Sequence, residues 1–296
     1  MSVVQDIKRL VKSRIEPIFA WPWSALIACL MAGRGFPPIF ITVLVVFSMM
    51  LITASVYIYN DIVDREMDQY NFKKKNRPIV TGEVSIRFAQ YFVVITAVLG
   101  LALAYIINWN VFVWSSIYFL LFFIYSYPSI RLKKMYVVKE LTIAMVLPMS
   151  SAIGSYAVLN SLSLPIIYAG STMGLFGFLM LPALNDSFDI DEDKIYGIKT
   201  LAQTLSWRLR TYMIGLGVIL MVILTYTASA WFNFSLILPL ITVVASILPL
   251  RILSRIWTKF ERDYAYSTRI LFQMYFFMIQ ILFVVSNMSL PFLDFL

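Results

Sequence analysis

The amino-acid sequence predicts an all-α, polytopic membrane protein of about nine transmembrane helices, and three observations carry that prediction. Of its residues 60% are hydrophobic and only 14% charged, against about 45–50% and about 25% in soluble domains. Apolar stretches near the roughly 20 residues that a bilayer crossing needs recur from end to end. Lys and Arg gather on alternate connections, as they do where short loops face the cytoplasm. The polar stretches are too short for a separate soluble domain, so residues 1–296 read as one transmembrane domain.

Taken in order, the first segment, Ile7-Lys8-Arg9-Leu10-Val11-Lys12, reads as a short basic helix lying on the membrane surface. No small-residue cleavage site follows it, so a cleaved signal peptide is not expected. Crossings follow at 17–33, 37–59, 87–107, 111–127, 141–159, 164–184, 212–231, 235–250 and 270–290. Basic residues fall at the amino terminus and on the connections after the second, fourth, sixth and eighth crossings; only Arg34 lies elsewhere. The connections Asn108-Trp109-Asn110, 160–163 and Phe232-Asn233-Phe234 carry no charge. This pattern places the amino terminus and the basic loops in the cytoplasm and the carboxyl terminus outside a cell membrane. The formal net charge of +8 reports that topology and contact with anionic lipid headgroups, and gives no reason to propose nucleic acid as a partner.

What is missing narrows the chemistry. Cys29 is the only cysteine and there is no histidine. An intramolecular disulfide, a cysteine metal cluster, a histidine triad, a zinc–histidine centre and histidine-ligated haem are therefore excluded. Any metal must be a hard cation on oxygen ligands.

One acidic string occurs twice. Asn60-Asp61-x-x-Asp64-x-x-x-Asp68 ends the second crossing, and Asn185-Asp186-x-x-Asp189-x-x-x-Asp193 ends the sixth. Four crossings separate the copies, so both reach the same membrane face, and the chain reads as two parallel pseudo-repeats of about 17–140 and 141–290. Spacings of three and seven residues put the three acids of each copy on one helical face. Like charges stacked this closely need compensation, and carboxylates so grouped suit Mg²⁺. Basic residues stand beside them: Lys73-Lys74-Lys75-Asn76-Arg77 after the first copy, Arg131-Leu132-Lys133-Lys134 between the fourth and fifth crossings, and Lys199 after the second copy. Acids that hold a metal and bases that meet phosphate oxygens together make a site for a diphosphate.

These residues resemble the UbiA superfamily of intramembrane prenyltransferases, from about residue 17 onward. The resemblance rests on Asn60 to Asp68 with Asn76-Arg77-Pro78-Ile79-Val80-Thr81-Gly82, on Tyr125-Ser126-Tyr127-Pro128-Ser129-Ile130-Arg131-Leu132-Lys133-Lys134, and on Asp186 to Asp193 with Gly197-Ile198-Lys199-Thr200-Leu201. It implies a helical bundle around a central cavity, in which an isoprenyl diphosphate donor and a lipophilic acceptor meet within membrane lipid. It further implies that Asp61, Asp64, Asp68, Asp186, Asp189 and Asp193 hold Mg²⁺ on the donor, with Asn60 in the same motif. Arg77 and Lys133 match diphosphate contacts, and Lys73 and Lys199 join them as candidates. Two departures stand out: Trp21-Pro22-Trp23-Ser24 where many members have Arg-Pro and then Asn, and Glu192 where Gly often precedes the last acid.

An allylic diphosphate ionises more easily when its leaving group is neutralised, and the resulting cation needs a dry cavity. The aromatic run from Tyr118 to Tyr127 could line the isoprenoid channel. Ring faces of this run could steady a cation, and within it Tyr125 and Tyr127 are the candidate catalytic residues beside Asp64 and Asp189, because they lie one or two turns before Lys133. Competing classes are a secondary transporter or cation exchanger with repeated halves, a scaffolding membrane protein, and a phosphoalcohol transferase. Transport sites lie near the bilayer midplane, whereas these acids fall at helix ends. The residues leave the acceptor open between an aromatic ring and a prenylglyceryl phosphate.

Overall fold

Backbone polar groups in lipid must be satisfied within the chain, and every regular element among the described residues is helical. The structure, a computed structural model, describes residues 2–71, 74–184, 197, 201–258 and 262–288. A surface helix, α1 (Val3–Ser13), leads directly into α2 (Ile15–Ala32), α3 (Ile39–Val63), the one-turn α4 (Arg65–Asp68), α5 (Ile86–Ile107) and α6 (Trp109–Ser126). After a short 3-10 turn at Leu132–Lys134 come α7 (Val138–Ala144), α8 (Val146–Leu159), α9 (Leu164–Leu184), the short α10 (Leu201–Thr204), α11 (Trp207–Phe232), α12 (Ile237–Thr258) and α13 (Arg262–Val285).

Eight of these segments are long and apolar enough to cross a membrane: α2, α3, α5, α6, the pair Val138–Leu159, α11, α12 and Thr268–Val285. The ninth expected crossing is α9, whose apolar stretch Leu164–Met180 is shorter. The fifth crossing departs from the expected 141–159 by starting at Val138 and breaking at Met145. Pro148 explains the break: it has no N–H to give to a continuous helix, and it is tolerated in the first turn of a new one. The last crossing starts before the expected residue 270 and ends at Val285.

Lipid gives helices no hydrophobic reason to associate, so close approach of small residues has to hold them together. A Cβ added at Gly154 of α8 would lie 2.5 Å from the Ala28 Cβ and 2.8 Å from the Cys29 nitrogen of α2. Gly170 of α9 meets the Leu147 carbonyl of α8 in the same way, at 2.8 Å. Between α3 and α5, Ser48 Oγ donates to the Gly100 carbonyl at 2.7 Å and Ser55 Oγ to that of Val93 at 2.9 Å.

Uncharged connections collect at one end of the bundle. Asn108 caps α6 by accepting from the Val111 N–H at 2.8 Å, and its Nδ2 donates to the Tyr156 carbonyl at 2.9 Å and to Asn160 Oδ1 at 3.3 Å. Nearby the Asn287 amide donates to the Met31 carbonyl at 2.7 Å. The opposite end holds the first acidic motif, the loop from Arg77 to Val84, the loop from Arg131 to Lys134, and α1. Leu10 of α1 is fully buried there with Ile58, Ile79, Val84, Ala89 and Val93, and Arg9 pairs with Glu83 at 3.3 Å. Val3, Val4 and Ile7, toward the start of the same apolar face, stay exposed, as suits a helix resting on a membrane surface.

Candidate active site

The last turns of α3 deliver the site. Thr53, Tyr57 and Asp61 follow one another at intervals of four, which stacks them on one helical face. Asn60 stands beside Asp61, and the helix ends at Val63. Asp64 leaves helical geometry (φ −93°, ψ 3°), its N–H still bonded to the Asn60 carbonyl at 2.9 Å, and α4 carries the chain on to Asp68. The three acids therefore do not lie on a single unbroken helix. The turn at Asp64 sends its carboxylate toward the loop from Arg131 to Lys134, while Arg77 gathers the other two.

All three carboxylates are nearly inaccessible: Asp61 is 1% exposed, Asp64 8% and Asp68 2%. Burying three negative charges together demands cations, and four basic side chains supply them. Arg77 Nη1 bridges Asp61 Oδ1 at 2.9 Å and Asp68 Oδ2 at 2.5 Å. Arg14 Nε donates to both Asp61 oxygens at 3.0 Å, and its Nη2 reaches Asp61 and, at 3.3 Å, Asn60 Oδ1. Arg131 Nη2 donates to Asp64 Oδ1 at 2.8 Å, and Lys133 Nζ to Asp64 Oδ2. Asn60 Nδ2 donates to Asp64 Oδ2 and to Ser126 Oγ, both at 2.9 Å, which ties the motif to α6.

Burial and pairing pull the titrations in opposite senses. Burial raises the Asp68 carboxyl above its ordinary value, against the lowering influence of Arg77 and Lys74. Burial likewise lowers the Lys133 ammonium, although Asp64 opposes it. For Arg14 burial also works against the charge, but the attraction and hydrogen bonds of Asp61 outweigh it and the guanidinium is held above its ordinary value. The loop that brings Arg131 and Lys133 to Asp64 has two non-glycine residues at positive φ, Arg131 at 49° and the β-branched Val137 at 67°. Such conformations are strained by about 1–3 kcal/mol each and persist where the surroundings hold them.

Beneath the acids lies an aromatic layer. The Arg14 guanidinium sits 5.3 Å over the Tyr57 ring, and Trp21 Nε1 donates to the Tyr57 hydroxyl at 2.5 Å. Tyr118 bonds Thr53 at 3.2 Å through its hydroxyl and packs its ring 4.9 Å from Phe122. Of the two tyrosines chosen from the sequence, Tyr125 packs 6.0 Å from Phe122. Tyr127 is 40% exposed and ends a ladder in which Phe123 stacks on Tyr59 at 4.4 Å and on Tyr127 at 5.6 Å. Tyr57 thus lies against the Arg14 that holds Asp61, and Tyr118 sits deeper, at Thr53. Sequence reading passed over Tyr57, along with the pairings of Arg14 and Arg131, and named Tyr118 only as part of the aromatic run. The four-residue interval from Tyr57 to Asp61 was the available signal.

The structure brings together Asn60, Asp61, Asp64, Asp68, Arg77 and Lys133 as expected. Lys73, Asp186, Asp189, Asp193 and Lys199 lie outside the described residues. The described part of α9 runs to Leu184, and the second motif begins at the next position.

Residues 22–280 match the UbiA prenyltransferase family. The chain belongs to this family. As a UbiA prenyltransferase it is 25% identical over 219 residues to a 4-hydroxybenzoate octaprenyltransferase of Vesicomyosocius okutanii, a match covering 74% of this chain and 78% of that one. It is 30% identical over 151 residues to a digeranylgeranylglyceryl phosphate synthase of Pyrococcus furiosus, covering 48% of each. Among solved structures, a UbiA homologue from Archaeoglobus fulgidus bound to GPP and Mg²⁺ superposes with a TM-score of 0.70 at 19% identity, covering 94% of this chain and 98% of that one. A structure from work on a digeranylgeranylglyceryl phosphate synthase superposes with a TM-score of 0.76 at 20% identity, covering 97% of this chain and all of the other.

Among the described residues of this UbiA prenyltransferase no three acids converge as a ready metal-ligand group, and the carboxylates of the first motif are held by basic side chains. Asp61, Asp64 and Asp68 offer carboxylate oxygens alone, the donor set that Mg²⁺ takes. Their four basic partners can turn to phosphate oxygens. Arg131 Nε is a buried donor without a hydrogen-bond partner, as an arginine awaiting an anion would be.

Proposed function

We propose that this prenyltransferase moves an isoprenyl group from an allylic diphosphate to a lipophilic acceptor inside the membrane, with Mg²⁺ as its cofactor. The observation that carries this reading is the set of three buried carboxylates matched by four cations at one end of a helical bundle, directly over an aromatic layer. Residues 1–296 act as one transmembrane domain, and the repeats 17–140 and 141–290 each contribute an acidic motif to one site. Asp61, Asp64 and Asp68, with Asp186, Asp189 and Asp193, would hold the metal.

Bound Mg²⁺ would neutralise the diphosphate as the allylic C–O bond breaks. The protein's own groups do the rest. Arg77, Arg131 and Lys133 donate to the diphosphate oxygens, with Lys73 and Lys199 as further donors, and so stabilise the leaving group as its charge grows. Asn60 keeps Asp64 oriented through its amide. Tyr57 and Tyr118 present ring faces below the acids, where a developing allylic cation is stabilised by π density. The close-packed helices around them exclude the water that would capture it. The acidic end faces the cytoplasm, where soluble Mg²⁺ and donor are found, and the carboxyl terminus lies outside.

Two acceptor classes follow from the relatives: an aromatic acid such as 4-hydroxybenzoate, and a prenylated glyceryl phosphate. The deciding experiment is incubation of the purified protein with Mg²⁺, a labelled allylic diphosphate and a panel of both classes, with products identified by mass. A prenylated acceptor whose formation stops without Mg²⁺ is the expected result. Transmembrane flux of a cation or solute in proteoliposomes, with no prenylated product, would replace the reading by the transporter alternative.

A further inference from the structure

Arg14 belongs to neither acidic motif and to neither basic loop. It sits at the junction of α1 and α2 with φ −127° and ψ 25°, where its backbone closes one helix and opens the next, so its side chain alone has to change place. Its guanidinium edge is spent on Asp61 and Asn60, its face lies over Tyr57, and its side chain is 12% exposed. Asp61 in turn is shared by Arg14 and Arg77.

For Asp61 to give oxygens to a metal, these arginines must loosen their hold. Arg77 loses little by doing so, because it keeps Asp68 at 2.5 Å. Arg14 has no second carboxylate among its hydrogen bonds, and a buried guanidinium set free with nothing to meet it is costly. A diphosphate arriving with the metal provides the replacement, since bidentate Arg–phosphate pairing is as strong as Arg–carboxylate pairing. Metal without diphosphate strands Arg14, and diphosphate without metal meets three carboxylates.

We propose that Arg14 is an exchange residue, holding Asp61 before the donor binds and passing to the donor diphosphate when it does, so that metal and diphosphate are taken up together. This rests on the prenyl-diphosphate reading above. It assigns a function to the amino-terminal segment, which carries a donor-binding arginine into the site, and it predicts positive coupling between two ligands that each bind weakly alone.

The test is Mn²⁺ binding followed by electron paramagnetic resonance, with and without inorganic pyrophosphate, on the full-length protein in detergent. In the wild type pyrophosphate should tighten Mn²⁺ by about tenfold or more, within the usual range of such couplings. In Arg14→Gln, Mn²⁺ alone should bind more tightly than to wild type, because Asp61 has lost a competitor, while the gain from pyrophosphate shrinks to a few-fold. Arg14→Lys, which keeps the charge without the bidentate edge, should retain part of the coupling. Damage to the fold would weaken Mn²⁺ in both conditions, so that result, or an unchanged pyrophosphate effect in Arg14→Gln, overturns the proposal. Prenyl transfer is assayed separately. Wild-type coupling without transfer to any acceptor would sink the proposed reaction and leave the role of Arg14 standing. Transfer with a coupling indifferent to Arg14 would do the reverse.

Discussion

Lys133 donates to Asp64 across 69 positions of the chain, and each side chain is only 11% exposed. A pair buried to this degree is held as much by the cost of leaving one partner alone as by mutual attraction. Asp64→Asn keeps the shape but leaves Lys133 and Arg131 facing a neutral amide. The melting temperature of the donor-free protein should fall by the equivalent of roughly 1–3 kcal/mol, and prenyl transfer by about 100-fold or more. Asp189→Ala should cost a similar factor in activity. If both motifs act on one diphosphate, as proposed, the double mutant should be little slower than either single one. Thermal melts and initial rates on the same preparations separate the two effects, and wild-type turnover in a folded Asp64→Asn protein would remove the carboxylate cluster from the mechanism.

Metal removal should act on binding before it acts on chemistry. With EDTA present, a labelled allylic diphosphate should associate poorly with the protein, since carboxylates repel it, and added Mg²⁺ should restore association. Equilibrium dialysis in detergent reads this directly. Equal retention with and without divalent cation would leave Arg77, Arg131 and Lys133 as sufficient ligands and make the acids structural.

The sidedness of the two motifs is open to labelling. In a Cys29→Ser background, cysteines at Gln69 and Lys194 should react with a membrane-impermeant thiol reagent from the cytoplasmic side only, and a cysteine at Asn110 from outside only. Asn110 is the better outer probe because it is exposed, whereas Asn108 is engaged in capping and inter-loop bonds. Labelling of positions 69 and 194 from opposite faces would contradict a shared site and favour an inverted-repeat transporter.

Two glycines give a matched test of packing. Gly154→Ala places a methyl 2.5 Å from the Ala28 Cβ, so α2 and α8 must separate, at a cost of about 1–3 kcal/mol. Gly177→Ala has no neighbouring atom within 4 Å to displace and should be neutral or stabilise α9 by up to about 1 kcal/mol through helix propensity. Detergent melts of the two variants should differ accordingly. Equal melting temperatures would mean that the α2–α8 contact yields to an added methyl.

The crossings were readable because membrane solvation leaves its trace in every residue of a span. The first acids were readable as a group from their spacing, but not the turn at Asp64 that divides them between α3 and α4. Arg14 left no such trace: its partner is 47 positions away, and locally it is one more base at the end of a membrane helix. The approach of Tyr57 to the acids was hidden for a related reason. Tyr125 and Tyr127 are close to Lys133 along the chain, but the buried stripe of α6 is Ser115, Tyr118, Phe122 and Ser126, and Tyr57 reaches the acids from α3. The break at Met145 was foreshadowed only by Pro148, whose effect depends on where the first turn of α8 begins.

The Asn108 connection bears on how the bundle gets into the membrane at all. During insertion the hairpin of α5 and α6 must drag its tip through the hydrocarbon, and a charged tip resists that passage by a few kcal/mol per residue. Here the tip is three uncharged residues, so the hairpin can enter as a unit. On arrival Asn108 satisfies the α6 start itself and fastens to Tyr156 and Asn160 of the next hairpin. A residue cheap to translocate thus also serves as a clasp between two neighbouring hairpins.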